Sequence, residues 1–187
     1  ASMDLLAGHM ASEADIRFRQ IAQIGSALAR RLSTGRFETS EDVYGVLEYA
    51  YTNSDTIYGG AVAFDEYAFS RDRRLFAPYV MRDDRRQGEY IRTEIAYDYT
   101  VQADPKNAWF TAPKKSGGAN WSMPYDDEGA GNTLLLTYSV PFTRDGKFAG
   151  VIGIDVSTAW MQEFIADIPG EMAKYGYCSI VNPEGVF

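Results

Sequence analysis

Residues 134–157 read LLLTYSVPFTRDGKFAGVIGIDVS, and this stretch decides the fold. An apolar run leads up to Arg144, the pair Asp145-Gly146 follows, and a second apolar run begins at Lys147. Asp-Gly between two apolar runs is a strong signal for a tight β-hairpin, because both residues tolerate the positive φ that the turn requires. The sequence therefore predicts two antiparallel strands, at residues 134–142 and 147–156.

Further strands are predicted on the N-terminal side of this hairpin. Residues 58–64 form a glycine-rich apolar run, residues 75–81 form another, and residues 90–96 form a weaker third. Pro78 lies inside the second run, and proline cannot donate to a ladder of hydrogen bonds, so this strand is expected at an edge or a bulge.

Helical periodicity appears at the two ends of the chain. Apolar residues recur every three or four positions over residues 14–32, which predicts an amphipathic helix. Thr39 and Ser40 before Glu41 and Asp42 are typical of a helix N-terminus, close to a capping box, and predict a second helix through about Tyr51. After the hairpin, a helix is predicted from Ser157 to about residue 168, followed by a short strand at 177–181.

Between these regular segments, residues 98–132 are rich in Gly, Pro, Asn and Asp, and they are interpreted as one long loop. Trp109, Phe110, Trp121 and Tyr125 lie in it, so an ordered and functional loop is favoured over disorder. The order of elements predicts an α+β architecture: a mainly antiparallel sheet with helices on one side.

Composition excludes several classes of function. The formal net charge of −8 argues against nucleic acid as a partner, because phosphate backbones require a basic footprint. The single histidine is His9 and the single cysteine is Cys178, so no metal site, no cofactor and no histidine-based catalysis are expected. No run approaches 18 apolar residues, and these 187 residues therefore predict no membrane span.

Seven segments, taken in order, resemble the double-Cache sensor modules of bacterial transmembrane receptors. The ordered set is specific, although each piece alone is weak. The segments are residues 58–64 (YGGAVAF), 76–80 (FAPYV), 97–99 (YDY), 109–113 (WFTAP), 121–125 (WSMPY), 137–141 (TYSVP) and 150–157 (GVIGIDVS).

The resemblance implies a PAS-like antiparallel sheet with a long N-terminal helix, which is the membrane-distal Cache lobe. Residues 14–170 would form this lobe, residues 171–187 would begin a truncated membrane-proximal lobe, and residues 1–13 look like vector or linker sequence. The chain would be a periplasmic, non-catalytic domain of an inner-membrane receptor whose output is a histidine kinase, chemoreceptor, cyclic-dinucleotide enzyme or phosphatase. A small-molecule ligand and a weak homodimer through the N-terminal helix would follow.

Site residues are implied by the amino-acid-binding branch of the same family. There an Arg precedes a Trp-Tyr pair by two residues, a Tyr follows about fifteen later, and an Asp ends the last strand. Trp109, Tyr125 and Asp155 match these positions, and Phe110 stands in place of the Tyr of the pair. Asn107 stands where the Arg would hold a ligand carboxylate. This departure puts α-amino-acid binding in doubt and leaves the amine half of the site intact.

The chemistry of these residues agrees with a cationic ligand group. An anionic Asp beside aromatic faces suits a small ammonium group, through a charged hydrogen bond and a cation–π contact. The predicted pocket lies between the sheet and the long loop and is lined by Tyr79, Arg82, Tyr99, Trp109, Phe110, Trp121, Tyr125 and Asp155. Arg82 is included because of an alternative ligand, a small carboxylate, which this arginine would anchor.

Structural interpretations of the same residues stay open. Trp109, Trp121 and Tyr125 could pin the long loop to the sheet, and Asp155 could cap a following helix. Asp126, Asp127 and Glu128 lack the spacing of a calcium loop and are interpreted as a surface loop. A carboxylate-based hydrolase and a structural module without a ligand remain as alternative functions, although nothing in the sequence positions a nucleophile.

Overall fold

A single antiparallel sheet of seven strands organises the chain in the computed structural model, which describes residues 3–51, 54, 56–83, 86, 89–127 and 133–159. The strand order is β3-β2-β1-β7-β6-β4, and β5 also pairs with β6. The predicted α+β fold is thereby confirmed. The strands are β1 (Ile57–Phe64), β2 (Pro78–Arg82), β3 (Tyr90–Glu94), β4 (Asn120–Trp121), β5 (Tyr125–Asp127), β6 (Thr133–Arg144) and β7 (Lys147–Ser157).

Two helices cover one face of this sheet, here called the helix face. Helix α1 spans Met3–Thr34 and α2 spans Ser40–Tyr51. The first helix begins well before the predicted position 14, because residues 3–13 are rich in Ala, Leu and Met, which favour helix. That residues 1–13 are vector or linker sequence stays a prediction.

The main hydrophobic core lies between the helices and the helix face. Alternate residues of each strand point to this side, since side chains of a strand alternate between the two faces of its sheet. Ile152, Ile154 and Val156 of β7 meet apolar residues of both helices there. The helix residues of this core are Ile21, Leu28, Leu32, Val43, Val46, Leu47 and Tyr51.

The opposite face of the sheet, here called the ligand face, is covered in part by a third helix, α3 (Ala108–Ser116). Residues 98–132 are therefore not one long loop, and the prediction of helices on one side alone is wrong. A 3-10 turn at Pro105–Asn107 leads into α3, and the Asp104 side chain accepts from the Lys106 amide at its start. Gly117 ends the helix with φ at 71°, where glycine meets no steric cost.

Two further local predictions need correction. Strand β2 lies between β1 and β3 and is not an edge, and Pro78 is tolerated because it is the first residue of the strand. Asp126 and Asp127 lie in β5, paired with Leu134 and Thr133 of β6, and do not belong to a surface loop. Glu128 lies outside the described residues.

The predicted hairpin is confirmed, with one irregularity that matters for the site. Asp145 and Gly146 both have positive φ, 51° and 72°, as a two-residue turn of this type requires. The strands pair in one register from Arg144↔Lys147 to Thr143↔Phe148 and in another from Phe142↔Gly150 onward. Ala149 is the extra residue of this bulge, and it shifts every later pair of β6 and β7 by one position.

Several predictions concern the C-terminal part of the chain. Ser157 is the last residue of β7, and its hydroxyl accepts from the Ala159 amide at 3.1 Å, as a helix N-cap would. The rest of the predicted helix to residue 168 lies outside the described residues, as do the strand at 177–181, Cys178 and the boundary at residue 170. Among the described residues, no helix combines the length and the apolar character that crossing a bilayer requires.

Candidate ligand site on the sheet

A carboxylate surrounded by hydroxyl groups lies on the ligand face, near the end of β7. The Asp155 side chain is only 6% exposed. The Thr137 hydroxyl donates to its Oδ1 at 2.6 Å, and the Tyr79 hydroxyl donates to its Oδ2 at 2.8 Å. Tyr125 Oη lies 3.4 Å from Asp155 Oδ1 and 2.8 Å from Thr137 Oγ1. Hydroxyl groups from three strands, β2, β5 and β6, thus surround one carboxylate of β7.

The sheet explains how Tyr79 reaches Asp155. Tyr79 belongs to β2, Asp155 belongs to β7, and β1 runs between them. On the ligand face β1 presents only Gly59 and Ala61 at this level, paired with Asp155 and Gly153. These small residues leave room for the phenol ring of Tyr79 to lie across β1 and to bond to the carboxylate.

Trp109 lies on the same face, at the start of α3. A side chain added at Gly153 would place its Cβ 3.5 Å from Cε3 of Trp109, so the indole packs directly on the backbone of β7. The indole Nε1 donates to Tyr97 Oη at 3.2 Å. Gly153 and Asp155 are neighbours on one face, about 7 Å apart along the strand. Trp109 therefore lies beside the carboxylate site.

Phe110 and Tyr99 fill the core beneath α3. Both side chains are fully buried, and their ring centroids are 4.9 Å apart. The Tyr99 hydroxyl donates to the Phe64 carbonyl at 2.7 Å and accepts from the Phe76 amide at 3.2 Å. Burial raises the pKa of Tyr99, which keeps this phenol neutral. The ring centroids of both residues lie 5.9 Å from that of Trp109, so these two residues support the indole as part of the apolar core beneath α3.

Trp121 and Arg82 lie apart from the carboxylate. Trp121 pairs with Tyr138 on the helix face, and its ring centroid is 4.9 Å from that of Phe18 in α1. The Arg82 guanidinium donates to the backbone carbonyls of Ser54 and Ile57, the latter at 2.8 Å from Nε. Of the eight predicted residues, the structure brings Tyr79, Tyr125 and Asp155 into contact and places Trp109 beside them.

Asn107 has a structural role at the position where the family places an arginine. Its side chain is fully buried, and Nδ2 donates to the carbonyls of Asp98 and Val101, both at 3.0 Å. The amide therefore closes the turn that precedes α3. No carboxylate-binding group is available from this position.

Thr137 is the site residue that the sequence analysis missed. An unbroken register from the Asp-Gly turn would place Leu136 opposite Asp155. The bulge at Ala149 places Thr137 there instead, with its hydroxyl on the ligand face. A Thr in the run LLLTYS before the turn was the available signal, but only knowledge of the bulge would have assigned it.

Sequence comparison supports a sensor domain. The sequence model of the family described as "Methyl-accepting chemotaxis protein-like, first PDC sensor domain" matches residues 43–163, which include all seven strands and α3. The chain belongs to this family. The match confirms the predicted resemblance to Cache sensors, since the matching family is itself a family of sensor domains.

Solved structures of sensor domains and a chemotaxis receptor are also similar to the chain. The extracellular domain of histidine kinase soHK1S-Z6 matches 86% of the chain at 27% identity, with a TM-score of 0.73. The ligand-binding domain of Campylobacter jejuni chemoreceptor Tlp3, solved with L-valine, matches 89% at 17% identity, with a TM-score of 0.64. Methyl-accepting chemotaxis protein TlpQ of Pseudomonas aeruginosa is 35% identical over 83 residues, 43% of the chain.

The chain spans only part of the length of these relatives. It spans 61% of the soHK1S-Z6 structure and 62% of the Tlp3 structure, and its match to TlpQ covers 12% of that receptor. Within the part of the chain that the structure describes, no three acidic, histidine or cysteine side chains come together as ligands of a metal ion would.

Proposed function

We propose that this chain is the periplasmic sensing domain of a receptor anchored in the inner membrane, and that it binds a small amine or amino-acid-like molecule. The family of sensors supports this location, as does the resemblance to the extracellular domain of a histidine kinase and to the ligand-binding domain of a chemoreceptor. The chain would detect the ligand, and an output domain on the cytoplasmic side would act on the signal. Any catalytic activity would belong to that output domain.

The hydroxyl-lined carboxylate of Asp155 is the observation on which the ligand class rests. A ligand ammonium group has three N–H donors and no acceptor, so it needs a site rich in acceptors. Asp155 supplies a negative charge, and the oxygens of Tyr79, Tyr125 and Thr137 supply further acceptors within one cluster. Trp109 adds an aromatic ring beside the cluster, where a cation–π contact becomes available.

The part of the ligand beyond its ammonium group is expected to carry no carboxylate. An α-carboxylate would need a cation, yet Asn107 is buried in its turn and Arg82 donates to the carbonyls of Ser54 and Ile57. These contacts favour a simple amine over an α-amino acid, and they disfavour the alternative of a small carboxylate anchored by Arg82. Relatives of the same fold have been solved with L-valine and with GABA, both of which contain an ammonium group.

A ligand screen with matched variants tests this proposal. Primary amines, amino acids and small carboxylates are tested by thermal shift, and hits are measured by calorimetry. We expect amines to bind, and Asp155→Asn to raise their Kd more than tenfold, because losing one partner of a buried charged hydrogen bond costs about 2–5 kcal/mol.

The control variant is Asp145→Asn, which makes the same chemical change in the distant hairpin turn, where Asn tolerates the positive φ. It should bind amines as wild type does. Wild-type affinity in Asp155→Asn, or binding of carboxylates alone, would contradict the proposed ligand class.

A further inference from the structure

Tyr51, the last residue of α2, has a buried hydroxyl group in an unusual position. Its side chain is fully buried on the helix face, and its hydroxyl donates to the Gly153 carbonyl across 3.4 Å. O–H···O hydrogen bonds are usually about 2.5–3.0 Å long, so this bond is a long one. Burial, and next the negative charge of Asp155, raise the pKa of Tyr51 well above its ordinary value, so the phenol stays protonated.

Gly60 of β1 makes this contact possible. A Cβ at Gly60 would lie 2.4 Å from the Tyr51 hydroxyl oxygen and 2.2 Å from the Gly153 carbonyl oxygen. Any larger residue would therefore exclude the phenol from its place against β7. The absence of a side chain at Gly60 lets a residue of α2 touch the backbone of the strand that bears Asp155.

Gly153 is contacted from both faces of the sheet at once. The Tyr51 hydroxyl meets its carbonyl from the helix face, and the Trp109 ring packs over its Cα from the ligand face. Asp155 follows two residues later, on the ligand face of the same strand. A shift of this peptide therefore moves both the backbone surface on which Trp109 packs and the Asp155 carboxylate.

We propose that Tyr51 is a positioning residue of the ligand face, whose hydroxyl sets the position of the Gly153 peptide and so of Asp155 and Trp109. Helix α2 is thereby coupled to the ligand site through one hydrogen bond across the sheet. The inference rests on the proposed function only where it treats this face as the binding face. The coupling itself is tested without a ligand.

Tyr51→Phe removes the hydroxyl and keeps the ring. The readout is the NMR resonance of the Trp109 indole Nε1–H, assigned with Trp109→Phe. We expect Tyr51→Phe to shift this resonance although the two side chains lie on opposite faces. Tyr44→Phe is the matched control, because Tyr44 is also in α2 and its hydroxyl donates to a backbone carbonyl, that of Thr93 at 2.6 Å. It should leave the indole resonance in place.

A reciprocal measurement keeps the test decisive if Tyr51→Phe folds poorly. In Trp109→Phe the ring signals of Tyr51 should shift and those of Tyr44 should not. For an amine that binds the wild type, Tyr51→Phe should raise the Kd about 2- to 30-fold, the range produced by residues that couple sites. An unmoved Trp109 resonance in Tyr51→Phe, or unmoved Tyr51 signals in Trp109→Phe, overturns the proposal whether or not any amine binds.

Discussion

At the scale of single residues, the environment of Asp155 shows how a sheet can fix the position of a buried carboxylate. Three hydroxyl-bearing residues from three strands point at one carboxylate, and none of them is its neighbour in sequence. Hydrogen bonds to a charged group contribute more than neutral ones, about 1.5–3 kcal/mol each. These bonds hold the carboxylate in place, which would reduce the cost of ordering it if the proposed ligand binds there.

Removing one of these hydroxyls should weaken the folded domain. Tyr79→Phe keeps the ring across β1 and removes the 2.8 Å bond to Asp155 Oδ2. We expect the free energy of unfolding to fall by about 1–3 kcal/mol, because a mostly buried carboxylate oxygen loses a donor. Urea denaturation measures the change. Tyr67→Phe, at a side chain that is 57% exposed, is the control and should stay within about 0.5 kcal/mol of wild type. Equal stabilities for both variants would contradict this account of Tyr79.

At the scale of elements, the long first helix depends on one close approach to the sheet. A Cβ at Gly25 of α1 would lie 2.9 Å from Cγ2 of Val140, 3.2 Å from Cε1 of Tyr138 and 3.3 Å from Cδ1 of Ile154. The helix can pack this tightly only because position 25 has no side chain. Its helix propensity is poor, so packing and propensity oppose each other at this position.

Two glycine-to-alanine substitutions separate these effects. Gly25→Ala should lower the free energy of unfolding by about 1–3 kcal/mol, because overpacking outweighs the gain in helix propensity. Gly45→Ala in α2 has nothing within 4 Å of the new Cβ and should raise it by about 0.5–1 kcal/mol. Chemical denaturation of both variants gives the comparison. If Gly25→Ala stabilised the domain, α1 would not pack against β6 and β7 as closely as described.

The segment between β3 and α3 has its own electrostatic anchor. A hydrogen bond from the Thr100 hydroxyl, and next the bond from Arg74, lower the pKa of Asp98 to about 2. The Arg74 bond measures 2.8 Å and ties this segment to the chain before β2. The Asp98 carbonyl also accepts from Asn107, so the same residue supports the turn that leads into α3.

This anchor predicts a pH dependence at the acid end. Because the folded pKa of Asp98 lies below its ordinary value of 3.8, the stabilisation is present above about pH 4 and is lost as the pH falls toward 2. Asp98→Asn should therefore differ from wild type in urea midpoint at neutral pH and converge with it near pH 2. Thr100→Val, which removes the hydroxyl donor, should lose part of the same dependence. A constant difference across the range would refute the assignment.

At the scale of the whole molecule, we expect α1 to be the element through which two copies of the chain associate. It packs on β6 and β7 with one side and leaves Arg19, Gln23 and Arg30 at the surface on the other. Most of the residues exposed on α1 are polar, with Ile16 as an apolar exception at 50% exposure, and polar faces contribute little to obligate interfaces, whose buried centres are apolar. A homodimer through this helix is accordingly expected to be weak.

Sedimentation measures this expectation directly. The isolated domain should sediment as a monomer at micromolar concentration and dimerise only weakly as the concentration rises. Arg19→Glu combined with Arg30→Glu reverses two charges on the exposed side of α1, so it should weaken any dimer. The thermal stability of the monomer should fall only slightly, because the ion pair of Arg19 with Asp15 that is lost is exposed. A tight dimer that survives this double substitution would place the interface elsewhere on the molecule.

Local signals in the sequence were sufficient for much of this architecture. The Asp145-Gly146 turn and the apolar runs beside it predicted the central hairpin, because turn geometry depends on neighbouring residues alone. The helices at 14–32 and through Tyr51, and the position of Asp155 at the end of the most apolar strand, followed from periodicity in the same way. The ordered motifs then indicated the family.

Which side chains meet was decided by long-range packing. The single extra residue Ala149 changes the register of β6 against β7, and that shift brings Thr137 to Asp155. Trp121 and Arg82 lie away from the site, because a short strand paired with β6 and a pair of backbone carbonyls hold them elsewhere. A strand's side chains alternate with a period of two, so one inserted residue reassigns every later partner, and no local pattern reports it.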